Sequence, residues 1–170
     1  MIPVIRNLHK DEYPLLENFL YEAIFQKDTP VPHDIVHHPS LRIYTASFGT
    51  RKGDVCLCAE VEDMVVGAVW ARHIRGFGHV DDAMPELAVA VHPPFRGRGL
   101  GTALVNSMLK RLRHNGVSGV SLSVHKDNPA SMLYLKLGFS IIREEKKEYI
   151  MVCHFSPKGL SRKDACHELL

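Results

Sequence analysis

Apolar residues recur with two different periods along the chain, and the switches between them mark its elements. Residues 2–8 form a short apolar-rich run that predicts a strand. Asp11 and Glu12 then open a helix, where anionic side chains suit the positive end of the dipole. Leu16, Phe19, Leu20, Ala23 and Ile24 form its buried stripe, and Thr29-Pro30-Val31-Pro32 breaks it. A shorter helix is predicted over residues 39–48, ending at Gly49. Residues 55–61 and 64–74 are strand-like and meet at Glu62-Asp63, the pattern of a hairpin.

A loop with Gly76-Phe77-Gly78 leads to a third run, ELAVAV at residues 86–91. After a glycine turn, Leu100, Ala103, Leu104, Met108 and Leu112 return to helical spacing until Asn115-Gly116. Residues 118–125 read as a strand. Asn128 with Pro129 starts a short helix whose inner face is Ala130, Leu133, Tyr134 and Leu137, with Gly138 as its stop. Strands over 139–143 and 148–155 close the pattern around a charged EEKKE turn. The order predicts an α/β chain of the α+β kind, with a central, mostly antiparallel mixed sheet flanked by helices. One domain over residues 1–155 and a polar tail over 156–170 are expected.

Composition narrows the function classes. A net charge of +2, with Lys and Arg spread along 170 residues, argues against a nucleic-acid surface. The basic run at residues 110–114 falls on the solvated side of a helix, and a single RGRG is too short for an Arg/Gly element. The longest apolar run, residues 64–71, is far below the ~20 residues of a membrane span, and no signal-peptide core is visible at the start. Cys56 and Cys58 share a strand face and read as core residues; Cys153 and Cys166 form no CxxC pair, which suits a reducing, cytoplasmic setting. His33-x-x-x-His37-His38 is the only metal-like spacing, and it lacks a third ligand pattern, so no metal is expected.

The glycine turn carries the sharper signal. PPFRGRGLGTAL follows a strand and opens a helix, a place where unpartnered amides and the helix dipole favour an anion such as phosphate. It lacks the lysine of a P-loop and the spacing of a dinucleotide fingerprint. Arg96-x-x-Gly99-x-Gly101, preceded by Leu87-Ala88-Val89-Ala90-Val91-His92-Pro93, resembles the acetyl-coenzyme A signature of the GCN5-related N-acetyltransferase family. Asn128-Pro129-Ala130 and Leu133-Tyr134-x-x-x-Gly138-Phe139 resemble that family's second signature, and the likeness covers roughly residues 2–155.

The resemblance implies an acetyl-CoA-dependent N-acetyltransferase. Its cofactor pyrophosphate would lie on Arg96, Gly97, Arg98, Gly99, Leu100, Gly101 and Thr102. Pantetheine would lie along Leu87, Val89 and Val91, with Val89 and Val91 as main-chain contacts, and Asn128 and Tyr134 would also touch the cofactor. A bulge is expected to part this strand from its neighbour. An ammonium acceptor must lose a proton before it attacks. Glu86 stands where relatives keep such a base, although alone it reads as a solvated residue at a strand start. Asp81, Asp82 and His79 are rivals, and so is water. Tyr134 matches the tyrosine that protonates the departing thiolate, or else is a core aromatic.

The acceptor region maps to residues 25–39 and 72–84, where Phe25, His33, Trp70 and Phe77 would supply walls and Asp81 and Asp82 would attract a cation. A primary amine of a small molecule or of a peptide or protein is the expected acceptor, and a homodimer is left open. A CoA-binding sensor without turnover is the alternative.

Overall fold

The computed structural model describes residues 2–156, so the tail expected over 156–170, Cys166 included, lies outside the described residues except for Ser156. Seven strands form one sheet in the order β1-β2-β3-β4-β5-β7-β6. They are β1 (Val4–Asn7), β2 (Val55–Val61), β3 (Met64–Arg72), β4 (Glu86–Val91), β5 (Gly119–His125), β6 (Ser140–Glu144) and β7 (Glu148–His154). Every neighbouring pair is antiparallel except β4 and β5. The expected mixed, mostly antiparallel sheet flanked by helices is what forms.

Helix α3 (Leu100–His114) packs on one face, burying Leu104, Val105, Met108, Leu109 and Leu112 against β2, β3, β4 and β5. Helix α4 (Ala130–Lys136) joins it on that face through Tyr134. Helix α1 (Leu15–Ala23) and the segment 33–48 cover the other face, over Cys56, Cys58, Ala68, Trp70 and Ala90. Along β4 the alternation is strict: Leu87, Val89 and Val91 face α3, whereas Ala88 and Ala90 face α1.

The helix expected over 39–48 is a correction. Only Pro39–Arg42 is helical, as α2, and a succession of turns follows, with Ser47 at a φ of 51°. The cause lies on β3, which itself ends at Arg72 rather than at residue 74. The buried guanidinium of Arg72 takes the carbonyls of Ile43, Ala46 and Ser47, so these oxygens are not spent on helical bonds. Its two remaining donations go to Asp54, and both side chains are 1% exposed. Asp54 also accepts from the amides of Gly49 and Arg51. Trp70 on the same strand donates its indole N–H to the Tyr44 carbonyl. Two β3 side chains thus shape the segment that carries Tyr44.

Removing one member of a buried ion pair strands the other charge. Asp54→Ala is therefore expected to lower unfolding stability by about 3–5 kcal/mol in urea titration. Lys27→Ala, which breaks an exposed pair with Asp127, should cost less than about 1 kcal/mol.

Candidate functional site

Strands β4 and β5 are held together at one register pair, Glu86↔Ser121, and then separate. The expected bulge is absent from β4, whose register with β3 runs unbroken from Arg72↔Glu86 to Gly67↔Val91. What makes the gap is loss of the next strand. The His92 amide donates to the Val66 carbonyl, which fixes the phase of the antiparallel ladder. By that phase the amides and carbonyls of Leu87, Val89 and Val91 turn away from β3, toward β5. Beyond the single pair, those of Val89 and Val91 have no strand to meet.

The gap opens into a cleft of about 780 Å³. It brings together Val89, Val91, Arg96, Gly97, Gly99, Leu100, Gly101, Thr102, Asn128, Tyr134 and Phe25 from the sequence reading. Glu22, which the sequence reading did not single out, lines it too. Gly97 and Gly99 hold φ of 73° and 79°, a conformation that side chains rarely adopt. A β-carbon on Gly97, Gly99 or Gly101 would meet nothing within 4 Å, so all three border open space. None of the amide N–H groups from Gly97 to Thr102 meets an acceptor among the described residues. A row of unpartnered donors at the start of a fifteen-residue helix is an anion cradle.

The two arginines of the turn serve it differently than expected. Arg96 donates through Nε to the Val91 carbonyl at 2.8 Å and pairs with Glu22 at 2.9 Å. Its charge is largely offset, and it pins α1 to the end of β4. Arg98 does not line the cleft; its guanidinium lies 5.6 Å from the centre of the Phe95 ring. Leu87 does not line it either, because its side chain is in the core. Asn128 caps α4 by accepting the Ala130 N–H on Oδ1, which leaves its amide N–H₂ free at the cleft.

The Tyr134 ring packs edge-on against Phe139, and its hydroxyl makes no hydrogen bond among the described residues. Burial pushes its pKa up to about 12. A raised acid pKa leaves its stability contribution intact below pH 10, with loss as pH rises through about 12.

Glu86 is not the solvated residue its position suggested. It is 2% exposed, and it accepts hydrogen bonds from the Tyr44 hydroxyl at 2.7 Å and the amides of Gly76 at 2.6 Å and Gly78 at 3.0 Å. Burial raises its pKa, while Tyr44, Gly78 and Gly76 pull against that rise. The Tyr44 oxygen in turn accepts the Phe77 amide. A β-carbon on Gly78 would stand 2.7 Å from the β5 backbone, so this loop lies directly on the sheet.

Trp70 is 1% exposed and cannot wall an acceptor pocket, which corrects that expectation. His33 stacks on Tyr21 at 3.8 Å, and Phe77 is exposed on the loop, apart from the cleft. Asp82 is bound by Arg75 and His79, whose hydrogen bonds hold its pKa down at about 2. Asp81 accepts the Ala83 amide. His37 and His38 bond to Glu17 and Ser40, and no group of three or more metal-type ligands occurs among the described residues. No described helix is long and apolar enough to cross a membrane.

The profile of the acetyltransferase (GNAT) family matches residues 5–139. The chain is 36% identical over 90 residues to an acetyltransferase of Pectobacterium atrosepticum, covering 52% of this chain and 60% of that protein. It is 37% identical over 78 residues to the L-2,4-diaminobutyric acid acetyltransferase of Nocardia farcinica, covering 44% of this chain and 37% of that protein. The PaiA N-acetyltransferase of Thermoplasma acidophilum, solved in complex with coenzyme A, shares the fold. Its TM-score is 0.68 at 16% identity, with 91% of this chain and 100% of that one covered.

Gly101→Ala separates folding from binding. In the free protein the added methyl meets nothing and suits a helix, so thermal stability should hold or rise by up to about 1 kcal/mol. The same methyl stands in the cleft, so calorimetric affinity for CoA should fall at least several-fold. An unchanged affinity would place the anion elsewhere.

Proposed function

Because the chain belongs to the acetyltransferase (GNAT) family, we propose that it transfers the acetyl group of acetyl-CoA to a primary amine. The observation that carries this reading is the pairing of two open donor sets in one cleft. The amides of residues 97–102 suit the pyrophosphate, and the free edge of Val89 with the Val91 amide suits the amide-bearing pantetheine arm, the Val91 carbonyl being taken by Arg96. The complex of coenzyme A with the Thermoplasma protein agrees in kind. Arg96 belongs to this site as the pin of its wall, Asn128 as a donor, and Arg98, Leu100 and Thr102 through their amides. Leu87 supports the strand beneath.

Transfer needs a neutral amine and a protonated leaving thiol. Tyr134 is suited to give the proton to the thiolate, because its hydroxyl is unpartnered at the cleft and burial keeps it protonated. Glu86 is suited to be the final holder of the amine proton, since burial raises its proton affinity. With its oxygens on Tyr44, Gly76 and Gly78, it receives that proton through an intervening water rather than directly. Asp82, held near pKa 2 by Arg75 and His79, is the poorer base. Phe25 borders the cleft and faces His125 at 5.1 Å, so of the expected wall residues it is the one suited to meet the acceptor. His33, Phe77, Asp81 and Asp82 do not line this cleft. The acceptor is an amine on a small molecule or on a peptide, and the diamino acid named for the Nocardia relative belongs among the first to assay.

Acetyl-CoA is expected to raise the thermal midpoint, since it binds only the folded state. Tyr134→Phe should keep that shift and lower kcat by at least tenfold. Unchanged kcat with lowered stability would make Tyr134 a core residue alone. A thermal shift without turnover on any amine would leave a CoA-binding sensor.

A further inference from the structure

The carboxylates that are not fully exposed divide sharply by partner. Glu12 and Glu60 share Arg6, Asp54 holds Arg72, and Glu22 holds Arg96. Glu86 has no cation but is bound by three donors. Glu148, half-buried at the start of β7, has neither. Among the described residues its one side-chain partner is the Ser123 hydroxyl, which donates to Oε2 at 2.7 Å. Oε1 is unpaired. A partly desolvated carboxylate with one neutral donor is an unfavourable arrangement in an otherwise paired set.

No nearby cation pairs with Glu148: Lys146 and Lys147, just before it in sequence, make no ion pair with it among the described residues. Lys126 is paired with Glu144 and lies over the Tyr149 ring, while Arg143 is bound to Glu145. His125 sits opposite Glu148 across the strands, and its Nδ1 accepts the Asp127 amide.

Position makes this carboxylate informative. Val120, Leu122 and Val124 of β5 face α3, so Ser121, Ser123 and His125 face the opposite side. Continuing the parallel register from Glu86↔Ser121 places Ser123 level with Ala88, just past the point where β4 and β5 separate. Ser123 therefore holds Glu148 on the face away from α3, at the level where β4 and β5 part, outside the lining of the cleft itself. Ser121 lies one step below, and its buried Oγ also has no partner.

We propose that Glu148 is an acceptor-recognition residue, binding through Oε1 a second ammonium group of a diamine-type acceptor. The inference rests on the acetyltransferase reading above. The attacking nitrogen must be neutral when it meets the thioester, so a cation kept on Glu148 through the reaction is a different group. Ser123 acts as a positioning residue, fixing the carboxylate by Oε2.

The probes are 1,4-diaminobutane and n-butylamine, which share a chain length and differ in the second charge. Wild-type protein should favour the diamine in kcat/KM by roughly ten- to a hundredfold, the range of a charge-assisted hydrogen bond. Glu148→Gln should remove that preference through KM for the diamine. The butylamine rate and KM for acetyl-CoA should stay unchanged, and the thermal midpoint should hold or rise, because a partly desolvated charge is removed. Ser123→Ala should remove part of it, and Glu148→Asp should keep more than Glu148→Gln does. Equal use of both amines by the wild type, or a diamine KM indifferent to Glu148→Gln, would overturn the proposal alone. Bound acetyl-CoA with no transfer to either amine, to L-2,4-diaminobutyrate or to an alanyl peptide would overturn the acetyltransferase reading and this inference together.

Discussion

The single register pair Glu86↔Ser121 is the constraint on which the site depends. One more rung between β4 and β5 would close the strand edge at Val89 and fill the cleft with backbone. One fewer would leave β4 and β5 related only through α3, which packs across both. The rung is guarded from the side by the Glu86 carboxylate, which collects Tyr44, Gly76 and Gly78. Those bonds draw the 76–78 loop over β5, where Gly78 lies too close for any β-carbon. A buried carboxylate is costly unless its oxygens are satisfied, so the loop and the carboxylate stabilise one another.

Much of the fold was legible because it is local. The periods of residues 55–61, 86–91 and 100–114 each report one element, and the spacing of Gly97, Gly99 and Gly101 reports the turn between two of them. The glycines of the cradle could be read for the same reason: positive φ and open space are properties of the turn itself. The 39–48 segment was misread because its helical propensity lost to carbonyl bonds from Arg72, twenty-five or more residues away. Trp70 looked like an acceptor wall and is core for a related reason, since its indole serves Tyr44.

The chemistry of the carboxylates was less legible than the cradle. Nothing in ELAVAV indicates that Glu86 is buried, because its donors come from sequence separations of 8, 10 and 42. Glu148 was hidden in EEKKE, where it reads as one more solvated charge. Only the antiparallel register of β5 and β7 shows that it shares a face with Ser123 and His125. The same run supplies ordinary surface pairs through Glu144 and Glu145, so composition alone cannot single out Glu148.

On the proposed reading, the two ends of the cleft divide the work of binding and catalysis. Contacts to pyrophosphate are the same for acetyl-CoA, the transition state and free CoA, so the amides of residues 97–102 give uniform binding and cannot raise kcat. Offsetting Arg96 with Glu22 tempers that binding, which matters because CoA must leave after each turnover. Rate enhancement must then come from groups beside the thioester whose interactions strengthen as charge develops. The open strand edge at Val89 can donate to the carbonyl oxygen as it becomes an oxyanion, and it is held by β3 without side-chain freedom to lose. Tyr134 acts one step later, when the thiolate departs. Its raised pKa keeps the hydroxyl protonated until the thiolate forms beside it, and the same burial raises the proton affinity of that thiolate.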